Sequence, residues 1–330
     1  MPVLILTESE LRRCAMMNDQ ALRAVEQAFS WLAEDRVNMP PIMHLQVADH
    51  HGDVDIKSAY VSGLDHFAVK LASGYFENAK RGLPSSGAMM VVFRADTGFC
   101  AAVLLDNGYL TDLRTGLAGA LAAKHLAPET VSTVGVVGTG AQARYQVYGL
   151  QLVRKFERLM VFGRDPQRLS NYQEEMRKQL GVEVERAQCI EELVTESELV
   201  VTATPSKQAL IQSAWLHPGL HITAMGSDLG GKQELDPQVL VDADLLVCDR
   251  KSQCAAMGEL QHAIAAGLIS RDADILELGS ITSGQHPGRS DPDQITVCDL
   301  TGTGVQDTAI AALAYARARE LGLGTEISDK

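Results

Sequence analysis

No apolar run in the 330-residue chain approaches the roughly 18 residues that span a bilayer. The start, MPVLILTESELRR, meets charge too early for a signal peptide. Positive charge is scarce: 29 Lys and Arg against 42 Asp and Glu leave a net charge of −13. That balance argues against binding a nucleic-acid backbone, although a basic pocket inside an acidic shell stays compatible with small anions. The six cysteines (Cys14, Cys100, Cys189, Cys248, Cys254, Cys298) form no C-x-x-C, and the nine histidines form no H-E-x-x-H. Neither a disulfide framework nor a metal site is expected, and scattered reduced thiols suit a cytoplasmic protein. No short repeat runs through the chain, which excludes collagen and coiled coil.

What is present is length for about two domains and 46% hydrophobic residues to fill them. The N-terminal segment reads as helical: Thr7 to Glu10 has capping-box spacing, and Leu22, Val25, Phe29 and Leu32 repeat at helical intervals. From about Met43 to Leu110, VDIKSAYV, HFAVKLAS, AMMVVFR and FCAAVLL read as strands of a mainly antiparallel sheet, with ADTG as a hairpin turn. After Thr111 strands and helices alternate, which predicts a doubly wound parallel sheet. The expected architecture is α/β. An α+β domain over residues 1–113, joined by the C-terminal helix of 305–330, accompanies a Rossmann domain over 114–304.

VGVVGTGAQA places Gly138, Gly140 and Ala143 in G-x-G-x-x-A spacing between a strand and a helix. The first glycine permits the turn, the second lets a pyrophosphate approach the backbone, and the helix N-terminus faces the phosphates. The next strand ends in Gly163-Arg164, where NAD binders usually carry an acid. Asp165 precedes Pro166 and reads as a helix N-cap. Arg164 is then available for a 2′-phosphate, so NADP(H) is expected ahead of NAD(H).

Three residues suit the reacting end. Lys70 lies inside the apolar strand HFAVKLAS, as a proton donor or carboxylate binder, or as an edge lysine reaching solvent. Arg114 lies among small residues in TDLRTG, where its fork suits a carboxylate; the alternative is a surface arginine. Asp228 is read as ending the strand HITAMGSD, as a group that holds an amine and passes a proton, or as an Asx-turn residue before Gly230-Gly231.

In order along the chain, GLPS, ADTG, LDNGYLTDLRTG, VGTGAQA, AMGSD with Lys232 behind it, and TGTGVQD resemble the ornithine cyclodeaminase/μ-crystallin family. MPPI, YVSGLDHFAVK and GELQHAIAAGLI are most similar to the branch associated with ectoine and hydroxyectoine utilisation, and GGKQELDP resembles iminosuccinate reductase. The resemblance implies a homodimer built through the N-terminal domain, a Rossmann domain binding NAD(P), and hydride transfer at the α-carbon of amino or imino acids. It implies Lys70 and Asp228 as catalytic and Arg114 as a carboxylate ligand. Ser85, Arg114, Gly138, Thr139, Gly140, Ala141, Gln142, Arg164, Thr202, Met225, Gly226, Ser227 and Lys232 fall on cofactor-contacting positions. An arginine of many members is absent, its place taken by His44 or, as the alternative, Met43, and the cyclodeaminase glutamate corresponds best to Asp55, with Lys57 nearby; His44 and Asp55 are thus expected at the substrate. The expected activity is an imino-acid reductase acting reversibly as an amino-acid dehydrogenase on a small substrate. An NAD-recycling ornithine cyclodeaminase and a μ-crystallin-like NADP-linked binding protein are the alternatives.

Overall fold

The capping box at Thr7 does start a helix, but a strand precedes it. The computed structural model describes residues 2–328. Contacts divide it into two units, Met1–Arg114 with Thr303–Lys330, and Thr115–Gly302. In the first, β1 (Val3–Thr7) leads into α1 (Glu8–Cys14) and α2 (Asp19–Ala33), followed by β2 (Val37–Asn38) and β3 (Met43–Val47). The long strands are β4 (Gly52–Val61), β5 (His66–Tyr75), β6 (Ser86–Arg94) and β7 (Cys100–Leu105). Helix α3 (Tyr109–Leu126) begins here and continues into the second unit. The helical reading of the N-terminal segment includes no strand before the cap; VLILT pairs parallel with β7, because its alternating Leu4 and Leu6 fill the sheet's buried face.

Strands β4 to β7 form an antiparallel meander whose two faces differ sharply. On one, Ala59, Ala68, Val92 and Ala102 lie buried together, and the C-terminal helix Gly304–Leu321 packs against β4 and β5. Small residues let that helix approach closely: a Cβ on Gly304 would stand 2.6 Å from the Ser58 carbonyl oxygen. The opposite face is apolar too, with Ile56, Leu71 and Met89 aligned across the ladder. It nevertheless stays open, and on the same side Met43 is 62% and Leu45 58% exposed. An antiparallel sheet with one wet face normally alternates apolar with polar. This one does not.

The second unit alternates as expected. It contains β8 (Thr133–Val137), α4 (Ala141–Leu150), β9 (Arg158–Phe162), α5 (Pro166–Leu180), β10 (Glu183–Arg186) and α6 (Ile190–Thr195). Next come β11 (Leu199–Thr202), β12 (Lys207–Ile211), β13 (His221–Ala224), β14 (Gln233–Leu235), α7 (Pro237–Asp242) and β15 (Leu245–Cys248). Helices α8 (Lys251–Met257) and α9 (Leu260–Ala265), β16 (Leu276–Glu277), α10 (Leu278–Thr282) and β17 (Thr296–Asp299) complete it. The sheet order is β10-β9-β8-β11-β13-β17-β15-β16, all parallel, with the order reversing beside β8. The protein is thus an α/β protein with a Rossmann-type doubly wound sheet. Strands β8 and β11 read as near-continuous apolar runs and are buried along their length, whereas β13 buries the polar His221 and Thr223.

Helices α3 and α4 meet through glycines. A Cβ on Gly149 would stand 2.4 Å from the Gly116 carbonyl oxygen, and buried Gln146 donates to the Thr115 carbonyl at 2.9 Å. Alanine ordinarily favours a helix over glycine by about 1 kcal/mol. Here Gly149→Ala is expected to destabilise by about 1–3 kcal/mol through overpacking, measured by denaturant unfolding. An unchanged or raised midpoint would mean that the two helices part freely.

Candidate active site

In the first unit, antiparallel register puts Lys57 directly opposite Lys70, with Met90 next across the ladder. Lys70 lies on a central strand and is 1% exposed, so the edge-lysine alternative is excluded. Its Nζ donates to Asp307 at 3.0 Å from one carboxylate oxygen and lies 2.9 Å from the other. Arg114 is also buried rather than a surface residue. Its Nε lies 3.1 Å from Asp307 Oδ1, and its Nη1 donates to Gln306 Oε1 at 2.8 Å. Both partners come from the first turn of the C-terminal helix, which carries a Thr303–Gln306 capping pair.

Burial and the neighbouring Arg114 push Lys70 down to about 7, against the pull of Asp307. Burial alone would raise Asp307, but Lys70 and Arg114 hold it below the usual carboxylate range. Asp106, in the turn before α3, is wholly buried and pushed up to about 6 by that burial. Its Oδ2 accepts from the Leu110 N–H at 2.9 Å, while Oδ1 and the nearby helix's Gln306 Nε2 lack a protein partner. The unpaired Gln306 Nε2 is a donor beside two buried cations, a set that a carboxylate can meet, and Asp106 Oδ1 is an acceptor for a donor group. Farther along β3 and β4, His44 Nδ1 pairs with Asp55 Oδ1 at 2.7 Å, partly exposed.

The second unit carries a cleft of about 690 Å³ lined by Gly138, Thr139, Gly140, Arg164, Arg168 and Thr204, among others. Gly138 has φ +127°, and a Cβ there would meet the Ala203 carbonyl oxygen at 2.6 Å, whereas one on Gly140 would meet nothing. Gly140, on the cleft lining, is the N-cap of α4, so that helix N-terminus opens at the cleft. Asp165 is committed as the α5 cap, accepting from the Gln167 and Arg168 N–H groups at 2.9 Å each. Gly163 packs on Thr139, whose methyl would lie 2.7 Å from a Cβ there. The cleft therefore fits a dinucleotide, and Arg164 and Arg168 are the cations on its lining.

Strand β13 stops at Ala224, so Asp228 does not end it as expected but lies in the loop beyond. The N–H groups of Thr204 and Gly226 turn there to a carboxylate, Glu234, instead of extending the ladder. Asp228 is 51% exposed at its side chain and accepts from Lys232 Nζ at 2.6 Å. Ser227 is buried and donates to the Lys232 carbonyl at 2.8 Å; Thr202 and Met225 are also buried. Ser85 lies in the first unit, where its carbonyl accepts from the Tyr75 N–H. Sequence reasoning assigned no role to Asp307, Gln306, Asp106, Arg168 or Glu234. The T-x-x-Q pattern at Thr303 was the one local signal for the first two.

The chain has relatives over nearly its whole length. It is 45% identical over 322 residues to an uncharacterized cyclodeaminase of Sinorhizobium fredii, 97% of each chain. The Δ1-pyrroline-2-carboxylate reductase of Thermococcus litoralis, solved with NADH and L-proline, superposes with a TM-score of 0.93 at 30% identity, over 98% of this chain and all of that one. An archaeal alanine dehydrogenase dimer with bound NAD has a TM-score of 0.93 at 31% identity over the full length of both. The model of the ornithine cyclodeaminase/mu-crystallin family matches residues 2–322, and the chain belongs to that family.

Proposed function

We propose that the protein is an NAD(P)H-dependent imino-acid reductase that also runs as an amino-acid dehydrogenase, with hydride exchanged at the α-carbon. The observation that carries this reading is the dry pair of cations, Lys70 and Arg114, anchored on Asp307 beside unpaired polar atoms. Arg114 presents a rigid fork and Lys70 a point charge to the substrate carboxylate. His44 and Asp55 stand farther along the same sheet face and read the rest of the substrate. Asp228 stabilises the iminium and moves the proton of the developing amine, with Lys232 holding its carboxylate. A bound reduced nicotinamide supplies the hydride. Gly138 to Gln142 would hold its pyrophosphate, and Arg164 with Arg168 a 2′-phosphate, which makes NADP(H) the preferred cofactor. The motif resemblance supports a substrate from ectoine and hydroxyectoine breakdown as part of this proposal, and the free cysteines suit a cytoplasmic setting.

The first test is NADPH and NADH absorbance with pyruvate, oxaloacetate or glyoxylate plus excess ammonia, and with a cyclic imino acid. Consumption is expected, with NADPH ahead. Asp228→Ala should cost about 10²-fold or more in turnover while cofactor still binds. Arg164→Ala should lower NADPH preference about ten-fold, one charged hydrogen bond's worth. Full turnover by Asp228→Ala sinks the assignment. Proline from ornithine without net cofactor change makes the protein a cyclodeaminase, the reading that the Sinorhizobium relative's name favours.

A second prediction follows from Lys70. Its ammonium binds carboxylate only when protonated, so kcat/KM, which reports the free enzyme, should fall as pH rises through about 7. Arg stays charged, and Lys70→Arg should lose that limb. If both proteins show the same fall, the titration belongs to another group.

We infer further that two copies pair through the open apolar face of β4 to β7. Patches of this kind are rare on monomers, and Leu105 adds 41% exposure at its margin. Light scattering should give a dimer at micromolar concentration, and Leu71→Asp a monomer. A monomeric parent protein would overturn the pairing.

A further inference from the structure

The loop carrying Asp228 and the loop lining the dinucleotide cleft leave neighbouring strands, with Thr202 of β11 opposite Ala224 of β13. The main-chain ladder makes its last rung from the Met225 N–H to the Thr202 carbonyl at 3.0 Å. Beyond that rung one side chain bridges the two loops. Glu234, wholly buried on β14, accepts from the Thr204 N–H at 2.6 Å on one oxygen and from the Gly226 N–H at 2.7 Å on the other. A Cβ on Gly226 would stand 2.2 Å from the Thr204 carbonyl oxygen and 2.5 Å from the Glu234 carboxyl, so the glycine is what admits the clamp. Glu234 is fixed in turn, because its own N–H and that of Leu235 donate to buried Glu259 at 2.8 and 3.0 Å.

We propose that Glu234 is a positioning residue, whose carboxylate sets the Asp228 loop against the cleft-lining loop Ala203–Ser206. The inference rests on the reading of Asp228 and the cleft given above. A carboxylate is the side chain suited to the task, since it is acceptor-only at both oxygens. The isosteric amide accepts at one and presents donors at the other, leaving one buried N–H facing another donor. Aspartate keeps the charge but is a methylene short of reaching both loops.

The test compares Glu234→Gln and Glu234→Asp with Glu198→Gln. Glu198 is a counterpart at the other edge of the same sheet, where it accepts from the Ser132 and Thr133 N–H groups at 3.2 and 2.8 Å. Glu198→Gln should leave kcat within two-fold. Both Glu234 variants should lower kcat by ten-fold or more, with a smaller rise in KM for cofactor. Hydrogen exchange of the apo protein should show Thr204 and Gly226 losing protection together in Glu234→Gln and keeping it in Glu198→Gln. Normal kcat in Glu234→Gln, or equal losses in the Glu234 and Glu198 variants, overturns the proposal. If the parent protein reduces no imine, the functional reading fails; the exchange pattern and NADPH fluorescence titration still judge the clamp. Should Glu234→Gln not fold, Gly226→Ala is the second probe. It is expected to lower kcat likewise, and normal kcat there counts against the proposal.

Discussion

The first unit depends on one carboxylate held out of water. Asp307 binds Lys70 and Arg114 where neither cation reaches solvent. Removing one partner from such an arrangement typically costs about 3–5 kcal/mol, because the remaining charge stays buried. The helix that carries Asp307 must therefore sit very close to the sheet. Gly304 allows that approach, and Thr308 fastens it by donating to the Ala59 carbonyl and accepting from the Ala68 N–H. Lys57 opposite Lys70 adds like charge on the same face, which the ladder tolerates at a cost. A buried ion cluster of this kind gains little in stability over an apolar core of the same volume.

The second unit solves a different electrostatic problem. Loops at the carboxyl edge of a parallel sheet lead into helix N-termini, which leave N–H groups unsatisfied. Buried carboxylates collect such loop N–H groups: Asp249 takes those of Thr301 and Gly302, Asp299 that of Leu260 at the start of α9, and Glu234 those of Thr204 and Gly226, whose loops lead to β12 and β14. Burial, together with their mutual repulsion, pushes Asp299 up to about 7 and Glu259 well above the carboxylate range. Where α3 ends, the opposite need is met by arginines. Arg154 donates to the Pro128 and Ala127 carbonyls, and Arg289 to those of Leu126 and Gly219. Gly138 and Gly140, at the N-terminus of α4, line the cleft at the same edge of the sheet.

Much of this was legible as pattern. The glycine fingerprint, the Asp165-Pro166 cap and the antiparallel run over β4 to β7 all rest on periods and turn residues that local sequence controls. What pattern missed was pairing over distance. Val3–Thr7 looked like the approach to a helix because its partner strand lies about a hundred residues away in the chain. Cys248 and Cys254 showed no paired spacing, yet among the described residues their sulfurs and an Asp299 oxygen lie within 4.8 Å of one another. Asp228 looked like a strand end because nothing local announces that Glu234 will take the N–H groups that extend a ladder.

The sequence by itself determined the α/β class and the glycine turn before α4, and it singled out Lys70, Arg114 and Asp228 as candidates, since residue identity and short spacings carry those signals. Tertiary structure alone decided that Lys70 and Arg114 share Asp307. It also decided that an apolar sheet face stays open and that Glu234 joins two loops. Each of those facts is a matter of which groups lose water together, and desolvation is a property of the packed chain rather than of any segment within it.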